Sequence, residues 1–123
     1  MKKKILLVED NETSIAVIKK EVEFLGFECA VAVTGKEGVK KALAYQPDLI
    51  LMDISMPKMD GLEATSQLRN NPKTKAIPIL AATAQTMRGD REKCLEAGCD
   101  DYIAKPFDHK ELGACIEKLL KRE

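Results

Sequence analysis

The chain has 123 residues, the size of one ordinary domain of roughly 100–150 residues and too short for two. Apolar residues make up 45% and charged residues 33%, a globular composition and not a disordered one. Lys plus Arg (20) balance Asp plus Glu (20), so the basic excess of a typical nucleic-acid binder is missing and no direct nucleic-acid partner is expected.

Met1 and three lysines precede Ile5-Leu6-Leu7-Val8, a short apolar run that Glu9 ends. A secretory signal needs roughly 7–15 apolar residues and a membrane span about 20, so no membrane association is expected and the chain reads as cytoplasmic. Ile5 to Val8 has the length of a buried strand. From Thr13 to Leu25, Ile15, Ile18, Val22 and Leu25 recur at helical spacing, and Gly26 stops the helix. Cys29 to Val33 reads as the second strand. Thr34-Gly35-Lys36-Glu37 has the form of a capping box opening a helix to about Tyr45. Leu49 to Met52 is a third apolar run, ending at Asp53, and Asp60-Gly61-Leu62-Glu63 opens a helix that Asn70-Asn71-Pro72 ends. Ile79 to Ala82 is the fourth strand, a helix over about Arg91 to Ala97 stops at Gly98, and Tyr102 to Ala104 is the fifth strand. Asp108 with Glu111 caps a last helix carrying Leu112, Ile116, Leu119 and Leu120.

Five β/α units in succession, with strands apolar throughout, predict an α/β fold: a parallel sheet covered by helices on both faces. Right-handed crossovers favour the flavodoxin-like strand order 2-1-3-4-5. The elements use all of 1–123 as one domain, without linker or repeat. Four cysteines, at 29, 94, 99 and 115, form no C-x-x-C pair and have no histidine cluster beside them. They read as reduced thiols in small apolar roles, not as zinc ligands.

In such a sheet ligands bind beyond the carboxyl ends of the strands, near the switch in strand order. Glu9 and Asp10 follow the first strand, Asp53 ends the third, Thr83 follows the fourth, and Lys105 follows the fifth. Three carboxylates, a hydroxyl and an ammonium are therefore expected to converge. Each acid alone reads best as a helix cap or a solvated loop end, but five such residues at one edge read as a site. Packed like charges are costly without compensation, and Mg²⁺ fits, because it binds one or two carboxylates and keeps positions for water and phosphate oxygens. Asp10 and Asp53 are the expected direct ligands, with Glu9 acting through water. The acidic Glu9-Asp10-Asn11-Glu12 loop would repel a preformed phosphate, and no G-x-G-x-x-G or G-x-x-x-x-G-K-[ST] loop is present.

Four segments carry a further reading: Val8-Glu9-Asp10-Asn11, Leu51 through Met52-Asp53-Ile54-Ser55-Met56-Pro57-Lys58-Met59-Asp60 to Gly61, Ala82-Thr83-Ala84, and Tyr102-Ile103-Ala104-Lys105-Pro106-Phe107. In this order, each at a strand end, they resemble the receiver domains of two-component response regulators, over essentially the whole chain. The resemblance implies a phosphorylation-dependent switch and not a turnover enzyme. Asp53 would take a phosphoryl group from a sensor histidine kinase or a histidine phosphotransfer protein. Mg²⁺ would be held by Asp10, Asp53 and the backbone carbonyl of Ser55, with Glu9 nearby. Lys105 would pair with the phosphoryl oxygens. Thr83 and Tyr102 would be the switch pair, although the reading of Tyr102 as an ordinary half-buried strand tyrosine stays open. Lys105–Pro106 is a candidate cis peptide bond, and Ser55 and Gln85 would line the water's approach to the phosphate. The downstream protein is not specified, and phosphorylation-dependent dimerisation is left open.

Three rivals fit less well. An aspartate-nucleophile phosphatase of the haloacid dehalogenase type needs an acid two residues after the nucleophile, where Ser55 stands. A histidine phosphotransfer module would need His109, the one histidine, which reads as a solvated residue in a helical first turn. A receiver that binds partners without phosphate is disfavoured by the intact set Asp10, Asp53, Thr83 and Lys105. A stand-alone regulator is expected over a piece of a hybrid kinase, given Met1 and the lack of a trailing linker.

Overall fold

The computed structural model describes residues 2–54, 61–83 and 90–121. Strands and helices alternate as β1 (Lys4–Val8), α1 (Glu12–Phe24), β2 (Glu28–Ala32), α2 (Gly35–Tyr45), β3 (Leu49–Asp53), α3 (Gly61–Arg69), β4 (Ile79–Thr83), α4 (Asp90–Ala97), β5 (Asp101–Ala104) and α5 (His109–Leu120). All the paired strands run parallel, in the order β2-β1-β3-β4-β5, which is the fold expected from the apolar runs.

Side chains alternate across the sheet with period two, and both faces are buried. Ile5, Leu7, Leu49, Leu51, Leu80, Ala82 and Ile103 pack with Ile18 and Val22 of α1 and Leu112, Ile116 and Leu119 of α5. Their neighbours Leu6, Val8, Ile50, Met52, Ile79 and Ala81 pack with Ala42 of α2, Ala64 and Leu68 of α3, and Cys94 of α4. Each fully buried Leu or Ile contributes on the order of 1.5–3 kcal/mol by leaving water, so the two layers hold the sheet from both sides.

Helix starts follow the caps, with one correction. Asn11 accepts from the Ser14 N–H at 2.9 Å, starting α1 one residue ahead of the expected Thr13. At α5 the Asp108 side chain accepts from Glu111 N at 2.8 Å, and Glu111 Oε1 accepts from Asp108 N at 3.3 Å, a complete capping box. At α2 only half of the expected box forms. Thr34 Oγ1 accepts from Glu37 N at 3.0 Å, while the Glu37 carboxylate turns along the helix to Lys41 at 3.3 Å, the i,i+4 partner. The expected Asp60 cap of α3 lies outside the described residues.

β2 occupies 28–32 and not the expected 29–33. Its ladder with β1 runs from Lys4↔Glu28 to Val8↔Ala32, so Val33 lies beyond its partner's end and is exposed. Being an edge strand, β2 is also less apolar in its burial than the central strands, and Glu28 is exposed. All four cysteines are free thiols. His109 is exposed at the start of α5, its ring edge-on to Phe24 at 5.2 Å. Among the described residues no helix is long and apolar enough to cross a membrane.

Candidate functional site

Parallel register brings the carboxyl ends of four strands to one edge. Val8 pairs with Met52, Asp53 with Ala82, and Thr83 with Ala104, so Glu9, Asp53, Thr83 and Lys105 leave the sheet at nearly the same height. Glu9, Asp53 and Thr83 are buried and Asp10 is exposed. Glu9, Asp10 and Asp53 each offer a carboxylate oxygen, and these atoms lie within 4.8 Å of one another. Lys105 closes the group. Its ammonium donates to Glu9 Oε1 and stands 4.0 Å from Asp53 Oδ2. The second Glu9 oxygen accepts from Asn11 N at 3.2 Å.

Burial pushes the Glu9 carboxyl up. A hydrogen bond shared with Asp53, the bond and charge of Lys105, and the Asn11 N–H outweigh it, so Glu9 stays below the usual carboxylate range. Three acidic side chains stand beside one ammonium, a formal excess of two negative charges that is the complement of a divalent cation. The donors are all oxygens, with no thiol or imidazole among them, which suits a hard cation such as Mg²⁺ and not zinc. The residues present therefore fit Mg²⁺.

Gly61 sets how closely α3 approaches. A Cβ there would lie 2.4 Å from the Asp53 carbonyl oxygen and 2.6 Å from Ile54 Cα, so only glycine lets the helix start against the end of β3. On the other side, Lys105 N donates to Thr83 O at 2.7 Å, tying the Lys105 backbone to the end of β4. The Lys105–Pro106 peptide bond is cis. Thr83 follows the parity of Ile79 and Ala81, and Tyr102, which pairs with Ala81, packs half-buried against the same core layer. The hydroxyl and the ring thus stand one step apart on one face of the sheet.

The structure brings together Glu9, Asp10, Asp53 and Lys105, with Thr83 and Tyr102 on the adjoining strands. Ser55 and Gln85, named from the sequence, lie outside the described residues. Two things escaped the sequence reading. One is the direct Lys105–Glu9 pair, since nothing in the sequence says which acid a lysine 96 positions away will meet. The other is a network around Arg69 and Asp100, joined at 2.5 Å; an arginine in a helix's last turn reads from sequence only as a dipole partner.

The chain is similar to known proteins over most of its length. A family model of the response regulator receiver domain matches residues 5–117. The chain is 48% identical over 118 residues to hybrid signal transduction histidine kinase G of Dictyostelium discoideum, covering 94% of this chain and 3% of that protein. It is 40% identical over 107 residues to the polar-differentiation response regulator DivK of Brucella ovis, covering 87% of each. Among solved structures, the receiver domain of sensor histidine kinase PA1611 from Pseudomonas aeruginosa PAO1 aligns with a TM-score of 0.92 at 38% identity, over 98% of this chain and 99% of that one; its crystal structure has a magnesium ion coordinated in the active-site cleft. The strand order, the acidic edge with its lysine and the match over residues 5–117 make this chain a member of the response regulator receiver domain family, a signalling module of two-component systems.

Proposed function

We propose that the chain is a phosphorylation switch, a single receiver domain in which Asp53 takes a phosphoryl group from a phosphohistidine. The donor would be a sensor histidine kinase or a histidine phosphotransfer protein. The observation that carries this reading is the convergence of Glu9, Asp10 and Asp53 within 4.8 Å, with Lys105 against them.

An Asp53 carboxylate oxygen attacks phosphorus in line, the P–N bond breaks, and the imidazole leaves with a proton. The product is an acyl phosphate that water later hydrolyses, returning the carboxylate, so the module resets without turning over a substrate of its own. Glu9, Asp10 and Asp53 would hold Mg²⁺, which when bound supplies charge neutralisation and orientation of the phosphoryl oxygens. Lys105, on its short tether from Thr83 O, can exchange Glu9 for a phosphoryl oxygen, because a compact ammonium accepts either anion. Burial of Asp53 and Glu9 excludes bulk water and strengthens each of these contacts.

Readout runs through Thr83 and Tyr102. A hydrogen bond from Thr83 to the new phosphoryl group would draw the hydroxyl toward Asp53 and free space on the face that Tyr102 shares. Moving a two-state equilibrium from 1:99 to 99:1 takes about 5.5 kcal/mol of differential stabilisation, which a doubly charged group held by an ammonium, a hydroxyl and a cation can supply. The altered surface would then be read by another protein in the cytoplasm, or by a second copy of the chain, and not by nucleic acid directly.

Intact-protein mass spectrometry after incubation with acetyl phosphate tests this. A single phosphoryl adduct is expected that needs Mg²⁺ and is lost in Asp53→Asn. Absence of the adduct with acetyl phosphate and with phosphorylated histidine donors alike would overturn the switch reading in favour of a phosphate-independent binding module.

A further inference from the structure

α4 is held unlike the helices around it. Of its side chains from Glu92 to Ala97 only Cys94 is buried, and Leu95 is 40% exposed. Its C-terminal end, by contrast, is tied down heavily. Gly98 takes a left-handed turn at φ +114°, and Cys99 N donates back to Cys94 O at 2.9 Å. This closes the helix with two buried thiols in contact with one core layer. Arg69, the last residue of α3, then grips that end. Its Nε donates to Gly98 O at 2.8 Å and its Nη2 to Asp100 Oδ2 at 2.5 Å, while Nη1 donates to Lys75 O at 2.8 Å and Ile77 O at 2.7 Å. Asp100 passes the grip to the start of β4: the same Oδ2 accepts from Ile79 N at 2.8 Å, and Asp100 N donates to Ile79 O at 2.8 Å. The fit is close, since a Cβ on Gly98 would come within 2.7 Å of Arg69 Cγ.

We infer that Arg69 is a positioning residue that pins the C-terminal end of α4, making Gly98–Asp100 the hinge about which this helix moves. Helix ends ordinarily open before helix interiors, and elements with little buried apolar surface open first. Here the end is bound to α3 and the 75–77 segment through one planar guanidinium and to β4 through Asp100, whereas from Glu92 to Ala97 a single small side chain is buried. Displacement therefore grows with distance from the pin, toward the end of α4 that follows Thr83 in the chain. A lysine at 69 keeps the charge but lacks the rigid fork that serves four acceptors at once. The pin itself is a property of the resting fold; its use as the pivot of the switch rests on the function proposed above.

Residue-resolved amide hydrogen exchange on the full chain tests both parts. In the unphosphorylated protein the Gly98, Cys99 and Asp100 amides are expected to exchange at least about tenfold more slowly, relative to their intrinsic rates, than those of Cys94 to Ala97, the reverse of a fraying helix. In Arg69→Lys these three should speed up by about tenfold, the effect of losing one charge-assisted bond, while Leu6 and Leu51 in the central strands stay unchanged. Uniform acceleration across the sheet would overturn the pin and make Arg69 a general stabiliser. Asp100→Asn, which keeps an oxygen for Ile79 N–H, should show the same local pattern more weakly and decides the matter if Arg69→Lys does not fold. With acetyl phosphate and Mg²⁺, exchange should change over Cys94 to Ala97 and not at Gly98 to Asp100; equal change in both overturns the hinge. A missing phosphoryl adduct in the mass spectrum would instead mark failure of the switch reading, leaving the resting-state comparison to decide the pin.

Discussion

α5 and α4 flank the same edge strand, β5, and are built in opposite ways. α5 opens with a complete capping box and buries Leu112, Gly113, Ile116 and Leu119 against β1, β3 and α1. α4 buries Cys94 alone among its side chains from Glu92 onward and depends on the Arg69 grip at its far end. The contrast shows stability and freedom to rearrange stored in different helices of one sheet, because burial of apolar area sets the local free energy of opening. The switch proposed above would need both: a platform that stays still when a phosphoryl group arrives, and an element cheap to displace.

The strongest way to break the comparison is to truncate one side chain on each helix. Leu112→Ala should cost about 2–5 kcal/mol in urea unfolding, as expected for an emptied core site, whereas Leu95→Ala should stay within about 0.5 kcal/mol. Similar losses for the two would mean that α4 is packed as firmly as α5. A smaller effect sharpens the role of the caps. Asp108→Ala removes the side-chain half of the α5 box, leaving the Asp108 N–H to Glu111 without its reciprocal bond, and should cost about 1 kcal/mol in the same assay, with Thr34→Ala, which removes a lone cap bond at α2, costing less. The reverse order would show that the reciprocal Glu111 contact adds nothing.

The smallest effect concerns a flaw on the firm side. Glu21 of α1 faces the start of α5 with its Oε2 buried and without a hydrogen-bond partner among the described residues. Burial pushes its carboxyl above the ordinary value; His109 opposes this and Asp108 adds to it. The folded state therefore holds that proton more tightly than the unfolded chain does. This contribution to stability is present below the unfolded value of about 4.3 and is lost as pH rises through the raised folded value. Glu21→Gln should gain on the unmodified protein as pH rises from about 4 to 7, read as Tm against pH. A constant difference in Tm across that range would clear Glu21 of the slope.

Much of this was legible in the sequence because it is local. Apolar runs four or five residues long, glycine stops at Gly26 and Gly98, and the Asp108–Glu111 spacing marked elements to within about one residue, since each depends on neighbours a few positions away. The site was legible for a related reason. In a parallel sheet the residue after each strand must emerge at one edge, so Glu9, Asp10, Asp53, Thr83 and Lys105 could be grouped from strand ends alone. The half-formed box at Thr34 was not legible, because Glu37 had two local partners of comparable strength and chose Lys41. Nor was the end of β2, which is set by where β1 runs out and not by the apolar character of Val33.

The sequence by itself determined the alternation of strands and helices, the two apolar faces of the central strands and the chemistry gathered at their carboxyl ends. Those follow from periodicity and from the handedness of β-α-β connections, which any chain with this pattern must obey. Only the tertiary structure decided that Lys105 pairs with Glu9, that Gly61 seats α3 against the Asp53 carbonyl, and that Arg69 fastens the end of α4 to Gly98 and Asp100. These are contacts between residues far apart in the chain, fixed at the scale of an ångström by how packed layers settle against one another, and no local pattern encodes that distance.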